Sequence, residues 1–301
     1  AAQRGQAASL HIALGALSIP REMSASDRNE IGVGMLGYAF MGKAHSNAFR
    51  KIEYMTWPPP LRPRLVSIAG RNAQAVGEAA NRYGLERSTS DWRDLVADPE
   101  VGLFDNLGPN DLHAEPTIAA AEAGKHVVCE KPLAMTSEQS SELLEQAERS
   151  GLVHCTNFNI RFYPQVQQAR ELARAGALGG IWNVHGGYLQ DWLQLDTDWN
   201  WRLEPDKSGD LRAVGDIGSH WLDLAQFVTG LAVESVFADL ATAIPVRRRP
   251  VGEVETFAAA GDVAREDAPM DTEDMAHLLI RFRGGARGSA VISQLSAGRK
   301  N

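Results

Sequence analysis

The segment from Ile31 to Gly42 restricts the fold of this chain more than any other. Ile31 to Leu36 is a short apolar run of strand type, Gly37-x-Ala39-x-x-Gly42 follows at once, and Met41 to Met55 reads as an amphipathic helix. Gly37 permits a tight turn, Ala39 lets backbone approach a pyrophosphate, and Gly42 allows close helix packing. The same alternation then repeats. Leu65 to Ala69, Val101 to Asn106, His126 to Cys129 and Leu152 to Asn157 read as strands. Between them lie helices capped by Asn72, Ser90 and the capping-box pair Thr136 and Gln139, and closed by Gly84, Gly124 and Gly151. Leu61 to Pro63, after Pro58-Pro59-Pro60, reads as a stiff connector. Strict alternation of strand and helix implies right-handed crossovers and a parallel sheet, which binds ligands at the carboxyl ends of its strands.

The informative turns fall at those ends: Gly37 to Gly42, Gly70-Arg71, Leu107 to Asn110, Glu130 to Pro132 and Asn157 to Tyr163. This places Gly37, Ala39, Phe40, Met41, Gly42, Gly70, Arg71, Leu107, Gly108, Asn110 and Glu130 against a dinucleotide. After Pro164 the rhythm changes. A helix runs to about Ala175, Trp182 to Gln190 reads as a strand, and a long aromatic loop leads to a helix opening near Asp216. Ser235 to Leu240, Met275 to Phe282 and Ala290 to Leu295 then read as strands without intervening helices, so a second, mostly antiparallel sheet is expected. The expected division is 1–29 as an extension, disordered or upstream of a start at Met23, then 30–157 and 158–301. Ser9 to Ile19 is mildly apolar but has no clear cleavage site, and the chain is expected to be a fragment.

The formal net charge is -8, which argues against general binding of nucleic acid or anionic membrane. No apolar run reaches membrane-spanning length. The two cysteines, Cys129 and Cys155, form no CxxC pair, so neither a zinc site nor a disulfide framework is indicated, in keeping with a cytoplasmic protein. Cys129 reads as a buried small apolar residue. Arg247-Arg248-Arg249 reads as a solvated loop.

The chemistry-bearing residues are Lys131, Asp216 and His220. Lys131 sits at a strand end before a proline, where an ammonium can stabilise a developing alkoxide. Asp216 and His220 stand four residues apart on one helix face, with Asp223 in the same stripe and Ile217, Trp221, Leu224 and Val228 in the core-facing stripe beside it. His220 can accept a proton near neutral pH, and Asp216 can orient it or bind substrate. Two other readings stand beside this: an N-capping Asp216 with a core histidine, and a metal site of His220, Asp223 and His185. A lysine, a carboxylate and an imidazole beside a dinucleotide suit NAD(P)-dependent oxidation of an alcohol. A cofactor sensor of the same fold would not need all three. No acid follows the second strand, where NAD-binding turns carry one. Arg71 stands there instead and favours a 2′-phosphate, hence NADP. Five of the seven tryptophans lie between Trp182 and Trp221. Tyr188, Trp192, Trp199, Trp201 and Arg202 can line a sugar or polyol pocket, and Arg161 and Tyr163 are placed to touch substrate or nicotinamide.

Four segments together resemble the glucose-fructose oxidoreductase / inositol dehydrogenase / rhizopine catabolism (GFO/IDH/MocA) family. They are Gly37-Tyr38-Ala39-Phe40-Met41-Gly42-Lys43-Ala44-His45, Gly108-Pro109-Asn110-Asp111-Leu112-His113, Glu130-Lys131-Pro132 and Gly215-Asp216-Ile217-Gly218-Ser219-His220. The resemblance runs from Ile31 to the end. It implies an α/β Rossmann domain plus an α+β domain with an open, mostly antiparallel sheet, here incomplete at the C-terminus, through which such proteins form homo-oligomers. It further implies that Lys131, Asp216 and His220 are catalytic, that Lys131-Pro132 is cis, and that Asn110 and His113 contact the cofactor. The aromatic loop and proline-rich connector resemble the levoglucosan dehydrogenase-like branch of sugar dehydrogenases. The missing acid leaves the cofactor open between NAD and NADP.

Overall fold

The computed structural model describes residues 29–252 and 264–301. The stretch Ser9 to Ile19, Met23 and the rest of the expected extension before Asn29 lie outside the described residues. Six strands form one parallel sheet: β1 (Glu30–Leu36), β2 (Arg62–Ala69), β3 (Arg87–Thr89), β4 (Leu103–Asn106), β5 (His126–Cys129) and β6 (His154–Thr156), in the order β3-β2-β1-β4-β5-β6. Helices α1 (Phe40–Met55), α2 (Ala73–Tyr83), α3 (Trp92–Ala97), α4 (Ala114–Glu122) and α5 (Ser137–Ser150) connect them. The order reverses between β1 and β4, the place where such sheets open a crevice at their carboxyl ends.

Both faces of this sheet are covered, so its central strands are apolar on both sides. Val33, Met35, Ile68, Val76 and Ala80 build one core, and Leu36, Leu95, Phe104, Ala120 and Val127 the other. Local chemistry fixes the helix ends. The Asn72 side chain accepts from the Ala75 amide, and α2 closes on Gly84 in the left-handed region. Thr136 caps α5, while Gln139 reaches back to the Met135 amide, one residue earlier than a capping box requires.

Two local expectations are corrected, and one strand was not foreseen. Asp91, not Ser90, caps α3. The Leu61–Pro63 connector is largely strand: β2 begins at Arg62, and Pro63 pairs with Ile31 near the strand's start, where a missing N–H is tolerated. The three-residue β3 carries too short a pattern to be seen in sequence.

The remaining elements are α6 (Pro164–Arg174), β7 (Asn183–Leu189), α7 (Pro205–Ser208), α8 (Ser219–Thr229), β8 (Val233–Ala241), β9 (Val246–Pro250), β10 (Arg265–Pro269), β11 (Met275–Phe282) and β12 (Arg287–Ser293). A four-stranded sheet runs β7-β12-β11-β8, antiparallel except where β7 meets β12. Alternate residues of β11 and β12 (Ala276, Leu278, Ile280, Ala290, Ile292) pack against Ile217, Trp221 and Ala225. The small Ala225 continues the i, i+4 row that meets the sheet, whereas Leu224 and Val228 lie half-buried beside it, contrary to the stripe expected. The opposite face of the sheet is open, with Phe237 and Leu279 exposed.

The arginine run is also corrected. It lies on β9, paired with β10, and Arg247 is fully buried. Its guanidinium donates to the Leu195 and Leu193 carbonyls at 2.8 and 2.9 Å and to Asp274 Oδ1 at 2.7 Å, which satisfies the charge away from water. Arg248 and Arg249 remain exposed and pair with Asp267 and Glu266 across the strand pair. Among the described residues no helix is long and apolar enough to cross a membrane.

Candidate active site

The glycine turn is built as its spacing demands. Gly37 has φ +111°, and a Cβ there would stand 2.8 Å from the Leu107 carbonyl oxygen. A Cβ on Gly42 would stand 2.5 Å from the Gly37 carbonyl oxygen, so this residue sits behind the turn and lets α1 approach it. Helix α1 opens at Ala39 with no side-chain cap and no acid in its first turn. Its positive end is therefore left to an anion.

A cavity of about 790 Å³ runs along the carboxyl ends of the first sheet and on toward α8. Gly37, Ala39, Phe40, Met41, Gly70 and Arg71 line one end, joined by Leu107, Gly108, Asn110 and Glu130. Two residues assigned to the cofactor do not reach it: Gly42, as described, and His113. The His113 ring is buried between the Pro132 carbonyl, 2.7 Å from Nδ1, and the Gly108 carbonyl, 3.0 Å from Nε2. It ties the loop after β4 to the loop carrying Lys131, and burial lowers its pKa. Asn110 lines the cavity while its amide donates to the Ser208 carbonyl at 2.8 Å.

At the other end Lys131, Asp216, His220, Tyr163, Tyr188, Trp192, Trp201 and Arg202 line the same cavity. The Lys131-Pro132 bond is cis, as the resemblance implied. Lys131 Nζ donates to the Asp216 backbone oxygen at 2.8 Å and to Oδ1 at 2.9 Å. The Arg202 guanidinium lies 3.0 Å from the same Oδ1, and Gln294 donates to Oδ2 at 3.1 Å. Burial would raise the Asp216 pKa, but the charges of Arg202 and Lys131 outweigh it and hold the carboxyl well below the usual range. Asp216 is therefore a fixed anion.

His220 is stacked on Tyr188 at 5.8 Å between ring centroids, and Phe158 meets it edge-on. Its Nδ1 is buried without a hydrogen-bond partner. Burial, then the Lys131 charge, lowers its pKa to about 4, so the ring is neutral at pH 7 and free to take a proton.

Asp216 is not an N-cap of α8, which begins after Gly218 without a side-chain cap. It lies in a single π turn, Val214–Gly218, that precedes α8. The Glu273 carboxylate accepts from the Arg212 and Val214 amides at 3.0 and 2.8 Å and anchors that turn. Asp216 does not orient His220 either, since Lys131, Arg202 and Gln294 engage its carboxylate. Arg161 is corrected as well: it lies outside the cavity lining, paired with Asp223 and close to the Phe227 ring. That pair takes Asp223 away from any metal, and among the described residues no group of three or more His, Cys, Asp or Glu could hold one. Trp199 is absent from the lining, and Arg249 stands over its ring. Cys129 is buried, which pushes its thiol up to about 12. The residues sequence reasoning missed are Gln294 and Glu273, which carry no local signal, and His45, which stood inside the glycine motif without an assigned role.

Comparison with known proteins finds relatives of both parts of the chain. The family model described as "Oxidoreductase family, NAD-binding Rossmann fold" matches residues 31–158, and the GFO/IDH/MocA C-terminal domain matches residues 166–301. A levoglucosan dehydrogenase of Pseudarthrobacter phenanthrenivorans is 39% identical over 272 residues, which is 90% of this chain and 69% of that protein. A D-glucoside 3-dehydrogenase of Escherichia coli is 36% identical over 183 residues, covering 58% of this chain and 49% of its own. The solved structure of a levoglucosan dehydrogenase in complex with NADH and levoglucosan superposes with a TM-score of 0.82 at 38% identity, covering 91% of this chain and 69% of that one.

Proposed function

The chain belongs to the GFO/IDH/MocA oxidoreductases, and from that premise we propose that it moves a hydride between a secondary alcohol of a sugar or cyclic polyol and a nicotinamide cofactor. The observation that carries this reading is the meeting of Lys131, Asp216 and His220 in the cavity that begins at the glycine turn. The uncapped start of α1 and the backbone clearance at Gly37 fit the pyrophosphate of a dinucleotide. A bound nicotinamide supplies the hydride acceptor.

The chain's own residues do the rest. Neutral His220 takes the hydroxyl proton. Lys131 has three N–H donors and spends two on Asp216, which leaves one for the substrate oxygen as charge develops there. Asp216 fixes Lys131 in place. The faces of Trp192, Trp201 and Tyr188 suit the C–H faces of a sugar ring, and the similarity to a levoglucosan dehydrogenase favours an anhydrosugar or related pyranoside. The free thiols of Cys129 and Cys155 support a cytoplasmic site of action. The open sheet face with Phe237 and Leu279 supports self-association.

The test is a screen of NAD and NADP against anhydrosugars, aldoses, glucosides and cyclitols, followed by absorbance of the reduced nicotinamide. Turnover with one of these classes is expected. Cofactor binding with no turnover across the panel would replace this reading with a sensor of the same fold.

Arg71 follows β2 in place of an acid and lines the cavity. In this reading it pairs with a 2′-phosphate, a slight preference for NADP. Replacing Arg71 by alanine should weaken NADPH binding by about 10-fold or more and NADH binding by less than about 3-fold, since a charge-assisted contact contributes roughly 1.5–3 kcal/mol. Equal losses for both cofactors in a titration would assign Arg71 to the adenine instead.

A further inference from the structure

His45 lies on α1 outside the cavity lining, yet it is the centre of a buried relay that ends at the catalytic lysine. Its Nδ1 stands 2.9 Å from Asp105 Oδ2, and its Nε2 stands 3.1 Å from Glu130 Oε1. Asp105 is fully buried at the end of β4, and Glu130 follows β5 with 6% of its surface exposed. The second oxygen of Glu130 accepts the Lys131 amide at 3.2 Å. Asn157, just past β6, donates to Glu130 Oε1, and the same amide nitrogen lies 3.0 Å from His45 Nε2, so with that ring nitrogen protonated the amide serves Glu130 alone. Three strand ends and one helix therefore meet at a single imidazole ring.

We propose that His45, bridging Asp105 to Glu130, is the positioning residue for Lys131, and that the reach of Lys131 into the cavity is set through this relay. The inference rests on the role given to Lys131 above. Two buried carboxylates brought this close repel each other and resist ionisation unless a cation stands between them. Only a doubly protonated imidazole donates from both ring nitrogens at once. Burial opposes that charge at His45 and also raises Asp105 against the pull of His45, but the hydrogen bonds and charges of Asp105 and Glu130 together push the His45 pKa up to about 10. Glu130, although burial would raise it, is held below its ordinary value by His45 and then Asn157. Glu130 thus stays an acceptor for the Lys131 amide throughout the working pH range. The charged groups facing it are His45 from α1, Lys131 beside it and, through His45, Asp105 from β4.

The discriminating variant is His45→Gln, which keeps the volume and one amide donor but reaches only one carboxylate. Three measurements are made on the full chain: NMR titration of the His45 ring without ligand, hydrogen exchange of the Lys131 amide, and kcat, KM and NADH affinity with the substrate found above. His45 should remain an imidazolium beyond pH 9, titrating near 10. In His45→Gln the Lys131 amide should exchange about 10-fold faster or more, and kcat should fall by a similar factor, while KM and NADH affinity move less than about 3-fold. If His45→Gln alone does not fold, the double variant with Asp105→Asn retains a neutral hydrogen bond and carries the same measurements. A His45 that titrates near its ordinary 6.5, or a Lys131 amide unchanged in the variant, overturns the proposal. The titration and exchange need no substrate, so they decide the relay even if the dehydrogenase screen fails.

Discussion

Replacing Lys131 by methionine is expected to lower turnover by about 1,000-fold, and replacing His220 by alanine by roughly 100- to 10,000-fold, with cofactor affinity changed only a few-fold in either variant. Lys131 keeps one N–H beyond its two bonds to Asp216, so in the proposed mechanism methionine removes the group that meets developing oxyanion charge while filling its space. In the same mechanism His220 supplies the proton acceptor. Steady-state rates together with cofactor titrations separate these losses from failed binding.

A second signature accompanies the first. His220 is held near 4 by burial and then by the Lys131 charge, while Asp216 and Glu130 act the other way. The base form is therefore full at pH 7 and is lost only as pH falls toward 4, so the acid limb of kcat/KM should lie near 4 in the unaltered chain. In Lys131→Met the His220 pKa should move up from about 4 toward its ordinary 6.5, seen by NMR of the ring. Undiminished turnover in both variants, or a His220 that does not respond to loss of Lys131, would remove the catalytic assignment.

Asp274→Ala should give the largest loss of stability from a single substitution outside the cavity. Asp274 Oδ1 receives the guanidinium of Arg212 at 2.5 Å and that of Arg247 at 2.7 Å, and all three side chains are fully buried. Removing the carboxylate leaves two buried cations facing each other. Breaking one buried ion pair in this way costs about 3–5 kcal/mol, and for a chain of this size that lowers Tm by on the order of 10 °C. The effect should reach the cavity. Arg212 lines it, and the Asp274 carbonyl accepts the amide of Gln294, whose side chain holds Asp216. Thermal and denaturant unfolding measure the loss. A change below about 1 kcal/mol would mean that water reaches these guanidiniums in solution.

The first sheet was readable because its rules are local. A strand of apolar residues, a glycine at positive φ and a helix start lie within a dozen positions, and the pattern repeats. That Lys131 and His220 face one cavity was readable for a related reason: each stands in a short segment, a strand end before a proline and a helix start, whose backbone fixes where it lies. What escaped depends on distant partners. Arg247 looked like a surface charge because its carboxylate, Asp274, and its carbonyls at Leu193 and Leu195 come from other parts of the chain. Arg161 looked like a substrate contact until Asp223 claimed it. The π turn around Asp216 is held by Glu273, some sixty residues on, and no helical periodicity reports such a turn. His113 showed its motif position but not that two carbonyls had captured its ring. Burial of a charge is decided by whatever meets it in space, and one sequence does not display that.

The hold of Gln294 on Asp216 also orders events during synthesis. Every strand of the parallel sheet has left the ribosome once Thr156 has cleared the exit tunnel, whereas the amide that fixes Asp216 follows only after β12. The strand-end turns that line one end of the cavity are thus synthesised well before the amide that completes the hydrogen bonds of Asp216.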